Sequence, residues 1–139
     1  MPKVKREGDF CPNLQRGGVR PMHLIIDGYG ADIRKIQDAE LIYQLLDKYP
    51  AQIGMAKTGL PKVSRYNRTR SKEQGISGIV GLAESHISIH AFPQQSYVSI
   101  DIFSCKEFDA AQAVADFQDK LGLTKVETRL INRPQPDHR

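Results

Sequence analysis

Residues 75–105 read GISGIVGLAESHISIHAFPQQSYVSIDIFSC. The first part, 75–84, is rich in Ile, Val and Leu and reads as a strand. Gly75, Gly78 and Gly81 within it point to close backbone approach or a bulge. The second part, 85–92, alternates: Ile87 and Ile89 face one way, and His86, Ser88 and His90 the other. PQQS is a turn. The third part, 97–105, alternates again, with Val98, Ile100 and Ile102 apolar and Tyr97, Ser99, Asp101, Phe103 and Cys105 opposite. Two alternating strands joined by a short turn predict a hairpin. An ordinary wet face carries mixed, dispensable polar residues. This one places hydroxyls, imidazoles and the Glu84 carboxylate close together, a set suited to nucleophilic and acid–base chemistry.

Outward from this core, MHLIIDGYG (22–30) reads as a short strand ending in a Gly-rich turn. Residues 38–49 carry Leu41, Leu45 and Leu46 on one helical face, with Asp38 as N-cap and Pro50 as a stop. AQIGMA (51–56) reads as a weak strand. From Lys57 to Lys72, Lys62, Arg65, Arg68 and Arg70 follow with no acid between them, and the stretch reads as a long solvated loop. Residues 109–122 form a second helix, with Asp109 and Gln112 resembling a capping box and Gly122 a C-cap signal. KVETRLI (125–131) is a last strand, while residues 1–20 lack periodicity and read as a flexible tail. Two amphipathic helices and a run of alternating strands predict an α+β fold: a two-layer sandwich, its mostly antiparallel sheet covered by helices on one face.

The chain has 139 residues, 40% hydrophobic and 26% charged, which suits one core and one domain, 21–139. No run approaches the roughly 18 apolar residues of a membrane span, and the N-terminus lacks the apolar stretch of a secretory signal. Cys11 and Cys105 are the only cysteines, too few for a disulfide framework and without zinc spacing, so no metal is expected and a reducing cytoplasm is. Net charge is +4. No recognition-helix, zinc-finger or RNA-binding pattern accompanies the basic stretch, so a nucleic-acid partner is not expected.

Residues 75–105 closely resemble the core of the small prokaryotic S-adenosylmethionine decarboxylase proenzymes, and HLIIDGYG (23–30) resembles that family's opening strand. The similarity runs in order and spacing over residues 22–122, and its most specific part is Glu84-Ser85-His86 followed by His90 and Cys105. The resemblance implies self-cleavage between Glu84 and Ser85, leaving a pyruvoyl group made from Ser85 as the cofactor. That group would form a Schiff base with an amino-acid-type substrate and accept electrons as carbon dioxide leaves. Ser77 and His90 would serve processing, His90 as the proton acceptor, and Cys105 would be the proton donor in decarboxylation. Because Cys105 and His90 fall on the polar faces of adjacent strands, they are expected close together. The resemblance also implies a homodimer of cleaved protomers and a product destined for polyamine (spermidine) synthesis.

The family pattern His-Thr-Trp-Pro-Glu is replaced here by His90-Ala91-Phe92-Pro93-Gln94. Phe92 keeps an aromatic surface. Gln94 accepts with one oxygen where a carboxylate accepts with two, which bears on the ribose of a nucleoside substrate. Phe92 and Gln94 are therefore the candidate substrate-binding residues. Arginine or ornithine decarboxylation by the same mechanism is the alternative activity, and a non-catalytic binding or regulatory homologue a further one.

Overall fold

The computed structural model describes residues 21–67 and 73–133. The tail expected over 1–20, with Cys11, and the part of the basic stretch at 68–72 lie outside them. Six strands form one sheet in the order β2-β3-β4-β5-β1-β6. They are β1 (Met22–Tyr29), β2 (Lys62–Asn67), β3 (Gln74–Leu82), β4 (Ser85–Phe92), β5 (Tyr97–Ser104) and β6 (Lys125–Asn132). Every pairing is antiparallel. The helices are α1 (Ile33–Ile36), α2 (Ala39–Gln52) and α3 (Ala110–Leu121).

The alternation in the sequence becomes two unlike faces. Leu24 and Ile26 of β1, Ile76 and Val80 of β3, Ile87 and Ile89 of β4, and Val98, Ile100 and Ile102 of β5 are all buried. They share one face and meet α2 through Ile42, Leu45, Leu46 and Tyr49, and α3 through Ala113, Phe117 and Leu121. Tyr49 and Phe117 pack with ring centroids 4.7 Å apart and planes tilted by 57°, and the Tyr49 hydroxyl donates to Asp116 at 2.9 Å, satisfying the one polar atom it brings inside. Gly78 is where α2 comes closest: a Cβ there would lie 2.7 Å from Leu46 Cδ1. The helices thus cover one face of the sheet, as the pattern predicts. The opposite face carries His86, Ser88 and His90, and no helix of the described residues lies over it; on it Ile79 is 48% and Ile131 44% exposed.

The caps follow the sequence. Asp38 accepts from the Leu41 N–H, Asp109 accepts from the Gln112 N–H, and Gly122 closes α3 at φ +64°. Only half of the expected capping box forms, because the Gln112 side chain donates to Asp116 at 2.8 Å instead of reaching back.

Three expectations need correction. AQIGMA is not a strand, and Pro50 does not stop the helix. Pro50 sits inside α2, which runs on to Gln52. A proline near the C-terminal end costs a single intrahelical bond, and its carbonyl accepts from Ile53 N (3.2 Å) and Met55 N (2.8 Å) as the chain turns through Gly54. The basic stretch is not all loop either. Lys62–Asn67 is the edge strand β2, paired with β3 from Lys62↔Ile79 to Asn67↔Gln74. Only Val63 packs against the core, so the strand has little apolar pattern to read, and its charges suit an exposed edge.

Candidate active site

β3 and β4 pair up to Leu82↔Ser85, so Ala83 and Glu84 alone make the turn between them. Ser85 opens β4, and its Oγ accepts a hydrogen bond from the Cys105 N–H at 3.0 Å. The Cys105 sulfur lies 3.8 Å from the Ala83 carbonyl oxygen, and the residue is 6% exposed. Cys105 reaches this position by leaving the ladder. Ser104 is fully buried, its Oγ donates to the Lys106 carbonyl at 2.6 Å, and the chain bends there.

The expected closeness of Cys105 and His90 is therefore wrong. His90 pairs with Ser99, while His86 pairs with Phe103. In an antiparallel hairpin the last residues of the second strand return to the first residues of the first, so Cys105 meets Ser85. His90 instead faces Ser77, its register partner on β3, with Ser77 Oγ 2.9 Å from His90 Nδ1. An odd separation along a strand puts Ser85 and His90 on opposite faces, and five steps at ~3.3 Å each place them roughly 17 Å apart. One chain thus carries two separate clusters: Glu84, Ser85 and Cys105 at one end of β4, and Ser77 with His90 toward the other.

On the same open face as His90 stands an aromatic shelf that sequence reading missed. Tyr97 lies 5.3 Å from Tyr29 and 5.5 Å from Phe92, centroid to centroid. These rings, with Glu73 and Gln95, line a shallow cavity of about 420 Å³. The Tyr97 hydroxyl donates to Asp27 Oδ1 at 2.5 Å; burial first, and this bond second, raise its pKa. The signal in the sequence was the tyrosine that ends β1 and the tyrosine that opens β5, which the register Tyr29↔Tyr97 joins. Gln94 lies apart from the shelf. Its Oε1 accepts from the Gln74 N–H at 3.2 Å, and it lines a cleft of about 410 Å³ with Arg65, Asn67, Gln37 and Ile33.

Nearer the Ser85 end of the open face, His23 Nε2 lies 3.0 Å from Asp101 Oδ1. The His86 ring packs 5.8 Å from Phe103. Burial holds the His86 pKa below its usual value, His23 pushes it the same way, and Asp101 opposes.

The model for a family described as S-adenosylmethionine decarboxylase matches residues 22–134. The chain belongs to this family. A curated S-adenosylmethionine decarboxylase proenzyme of Thermoplasma acidophilum is 39% identical over 115 residues, covering 81% of this chain and 82% of that protein. One from Clostridium botulinum is 34% identical over 116 residues, covering 83% of this chain and 95% of the other. The crystal structure of the adenosylmethionine decarboxylase of Aquifex aeolicus superposes with a TM-score of 0.68 at 24% identity, covering 87% of this chain and 96% of that one. The α+β architecture is thus that of the decarboxylase family. Among the described residues no helix is long and apolar enough to cross a membrane.

Proposed function

We propose that this decarboxylase-family chain cuts itself between Glu84 and Ser85 and then, as a cytoplasmic homodimer of cleaved protomers, decarboxylates S-adenosylmethionine. The observation that carries the reading is the Cys105 N–H hydrogen bond to Ser85 Oγ. It holds the hydroxyl and favours negative charge on its oxygen as the hydroxyl proton leaves.

In processing, Ser85 Oγ forms a bond to the Glu84 carbonyl carbon, the C–N bond breaks, and an ester replaces the amide. A base then takes the Ser85 α-proton, the Cβ–O bond breaks, and the Glu84 carboxylate departs. Hydrolysis of the resulting dehydroalanine releases ammonia and leaves a pyruvoyl group at the new N-terminus. His90 is the base: it is exposed on the open face, and Ser77 fixes its ring through Nδ1. Ser77 also has the hydroxyl to donate to the oxyanion of the acyl shift. Neither reaches Ser85 of its own chain. A second protomer has to supply its Ser77 and His90 at the β3–β4 turn, where the first protomer's Ser85 stands, and the reverse, as twofold symmetry requires.

The pyruvoyl group, once made, supplies an electron sink conjugated to the substrate amine. The chain's residues do the rest. Cys105 lies beside the residue that becomes the group, and as the reduced thiol it would return a proton to the substrate α-carbon. The Tyr29–Tyr97–Phe92 shelf, its neighbouring rings tilted 42° and 31° to one another, offers aromatic surface to a nucleobase.

Intact-mass analysis tests the reading. Two fragments divided at Ser85, the C-terminal one reducible by borohydride, together with carbon dioxide release from S-adenosylmethionine and not from arginine or ornithine, are expected. A folded chain that stays whole and has no reactive carbonyl overturns it.

A further inference from the structure

Glu84 has φ +59°. Among the described residues the others with positive φ are Gly30, Gly54, Gly122 and Ser96. Left-handed backbone brings an L-residue's Cβ against its own carbonyl oxygen, which is why glycine is usual there and an unbranched acid is not. The Glu84 side chain offers no compensation: it is exposed and makes no hydrogen bond among the described residues. Its neighbours impose the conformation. On one side the Ala83 N–H donates to the Ala56 carbonyl at 3.3 Å, and the Thr58 N–H donates to the Gly81 carbonyl at 3.0 Å, tying the end of β3 to segment 56–58. On the other side the Cys105 N–H holds Ser85 Oγ at 3.0 Å. The strained residue stands between two anchored ones, and it supplies the carbonyl of the 84–85 bond.

We infer that the left-handed Glu84 backbone, clamped between Ala56 and Cys105, is strain built into the uncut chain that accelerates self-processing. The inference rests on the processing reading above. An acyl shift from nitrogen to oxygen exchanges a resonance-stabilised amide for a weaker ester and is uphill by itself. A ground state raised by backbone strain shortens that climb, provided the strain is relieved as the carbonyl carbon leaves nitrogen. Cleavage supplies the relief: Glu84 becomes a chain end, free to leave the left-handed region. The bond from Ala83 to Ala56 remains after cleavage, while the Cys105 clamp ends with Ser85 Oγ, which leaves in the Glu84 carboxylate, so Glu84 is free to relax.

A substitution series at one position tests this, because the side chain sets how well left-handed backbone is tolerated: glycine best, asparagine next, alanine poorly. Glu84→Ala, Glu84→Asn and Glu84→Gly all lose the carboxylate, so the comparison among them isolates the backbone. Processing is followed by intact mass after synthesis in a cell-free system. The expected order of rates is Ala, then Asn, then Gly, with Gly about five- to thirtyfold slower than Ala, the Boltzmann factor of the handedness penalty. In a Ser85→Ala background, which cannot be cut, the stability order reverses, and the chain carrying Glu84→Gly melts several degrees above the one carrying Glu84→Ala. Equal rates for the glycine and alanine variants, or a Glu84→Gly chain that melts no higher, overturn the inference. A wild-type chain that never cuts sinks the processing reading itself; a wild-type chain that cuts while the glycine variant matches the alanine variant sinks only the role of strain.

Discussion

His90→Ala and Ser85→Ala chains, each unable to yield a pyruvoyl fragment alone, should rescue one another when made together. The reasoning starts from geometry. Proton abstraction needs the base within about 3 Å of its target, or one water away. Within one chain, five residues of β4 separate Ser85 from His90, which is roughly 17 Å, and the odd count turns their side chains to opposite faces. His90 is also held by Ser77 at 2.9 Å, in a register fixed by the β3–β4 ladder. No side-chain rotation closes such a gap. A His90→Ala chain still carries Ser85 and Cys105; a Ser85→Ala chain still carries Ser77 and His90. In a mixed dimer the second supplies the base that the first lacks.

The size of the rescue follows from counting. With equal expression and random pairing, about half of the His90→Ala chains have a Ser85→Ala partner, so about half of them should be cut. The Ser85→Ala chains should stay whole. Different affinity tags on the two chains allow the fragments to be assigned, and intact mass of the C-terminal fragment distinguishes true elimination from simple ester hydrolysis. Three results would refute the reasoning: a His90→Ala chain that forms the pyruvoyl fragment unaided, a mixture with no fragment although mixed dimers are recovered, or cut Ser85→Ala chains.

Other consequences are more local. Gly78→Ala puts a Cβ 2.7 Å from Leu46 Cδ1 and 3.2 Å from Ile42 Cγ2. Both side chains are in the packed core, so a loss of ~1–3 kcal/mol is expected by chemical denaturation, and an unchanged midpoint would show that α2 stands off the sheet. His86 has a folded pKa below its unfolded value, so the unfolded chain takes up a proton first as pH falls. Stability should be complete above the unfolded value of about 6.5 and decline below it, and His86→Phe should flatten that decline in melts from about pH 7.5 to 5; a steeper decline would contradict the assigned burial. Gln94→Glu keeps the acceptor used by the Gln74 N–H and adds a second acidic oxygen, so KM for S-adenosylmethionine should fall about fivefold, near 1 kcal/mol. A raised KM would mean that Gln94 does not face the ribose.

The central sheet could be read from the sequence because burial on one face imposes a period of two, and β3, β4 and β5 obey it. The helix starts were readable for a similar reason: Asp38 and Asp109 each satisfy N–H groups that a helix leaves open. β2 was not readable, since an edge strand with Val63 as its one core contact carries almost no pattern. Pro50 misled because its cost depends on where in the helix it falls. The residue types of the site came through by resemblance, but their placement did not follow from types. A turn at 93–96 implies that Ser85 and Cys105 end up together and His90 stays apart; strand-face parity alone missed this because Cys105 has already left the strand. The left-handed Glu84 was invisible, because no glycine marks the turn.

The separation of the two clusters ties chemistry to assembly. A protomer that has folded alone holds Ser85 oxygen against the Cys105 N–H and strain at Glu84, so it has what the acyl shift asks of its own chain. It lacks the base for elimination, which stands across the sheet and toward the far end of β4. The open face, which carries His90, is also the one that leaves Ile79 and Ile131 nearly half exposed. Burying those side chains favours docking, and docking completes the catalytic set. On the proposed reading, pyruvoyl formation should therefore depend on protein concentration in the range where the uncut chain dimerises, and so should ester formation, whose oxyanion the second protomer's Ser77 serves. A unimolecular elimination rate that is the same at every dilution, measured alongside the oligomeric state, would uncouple the two and leave the separation of Ser85 from His90 without a function.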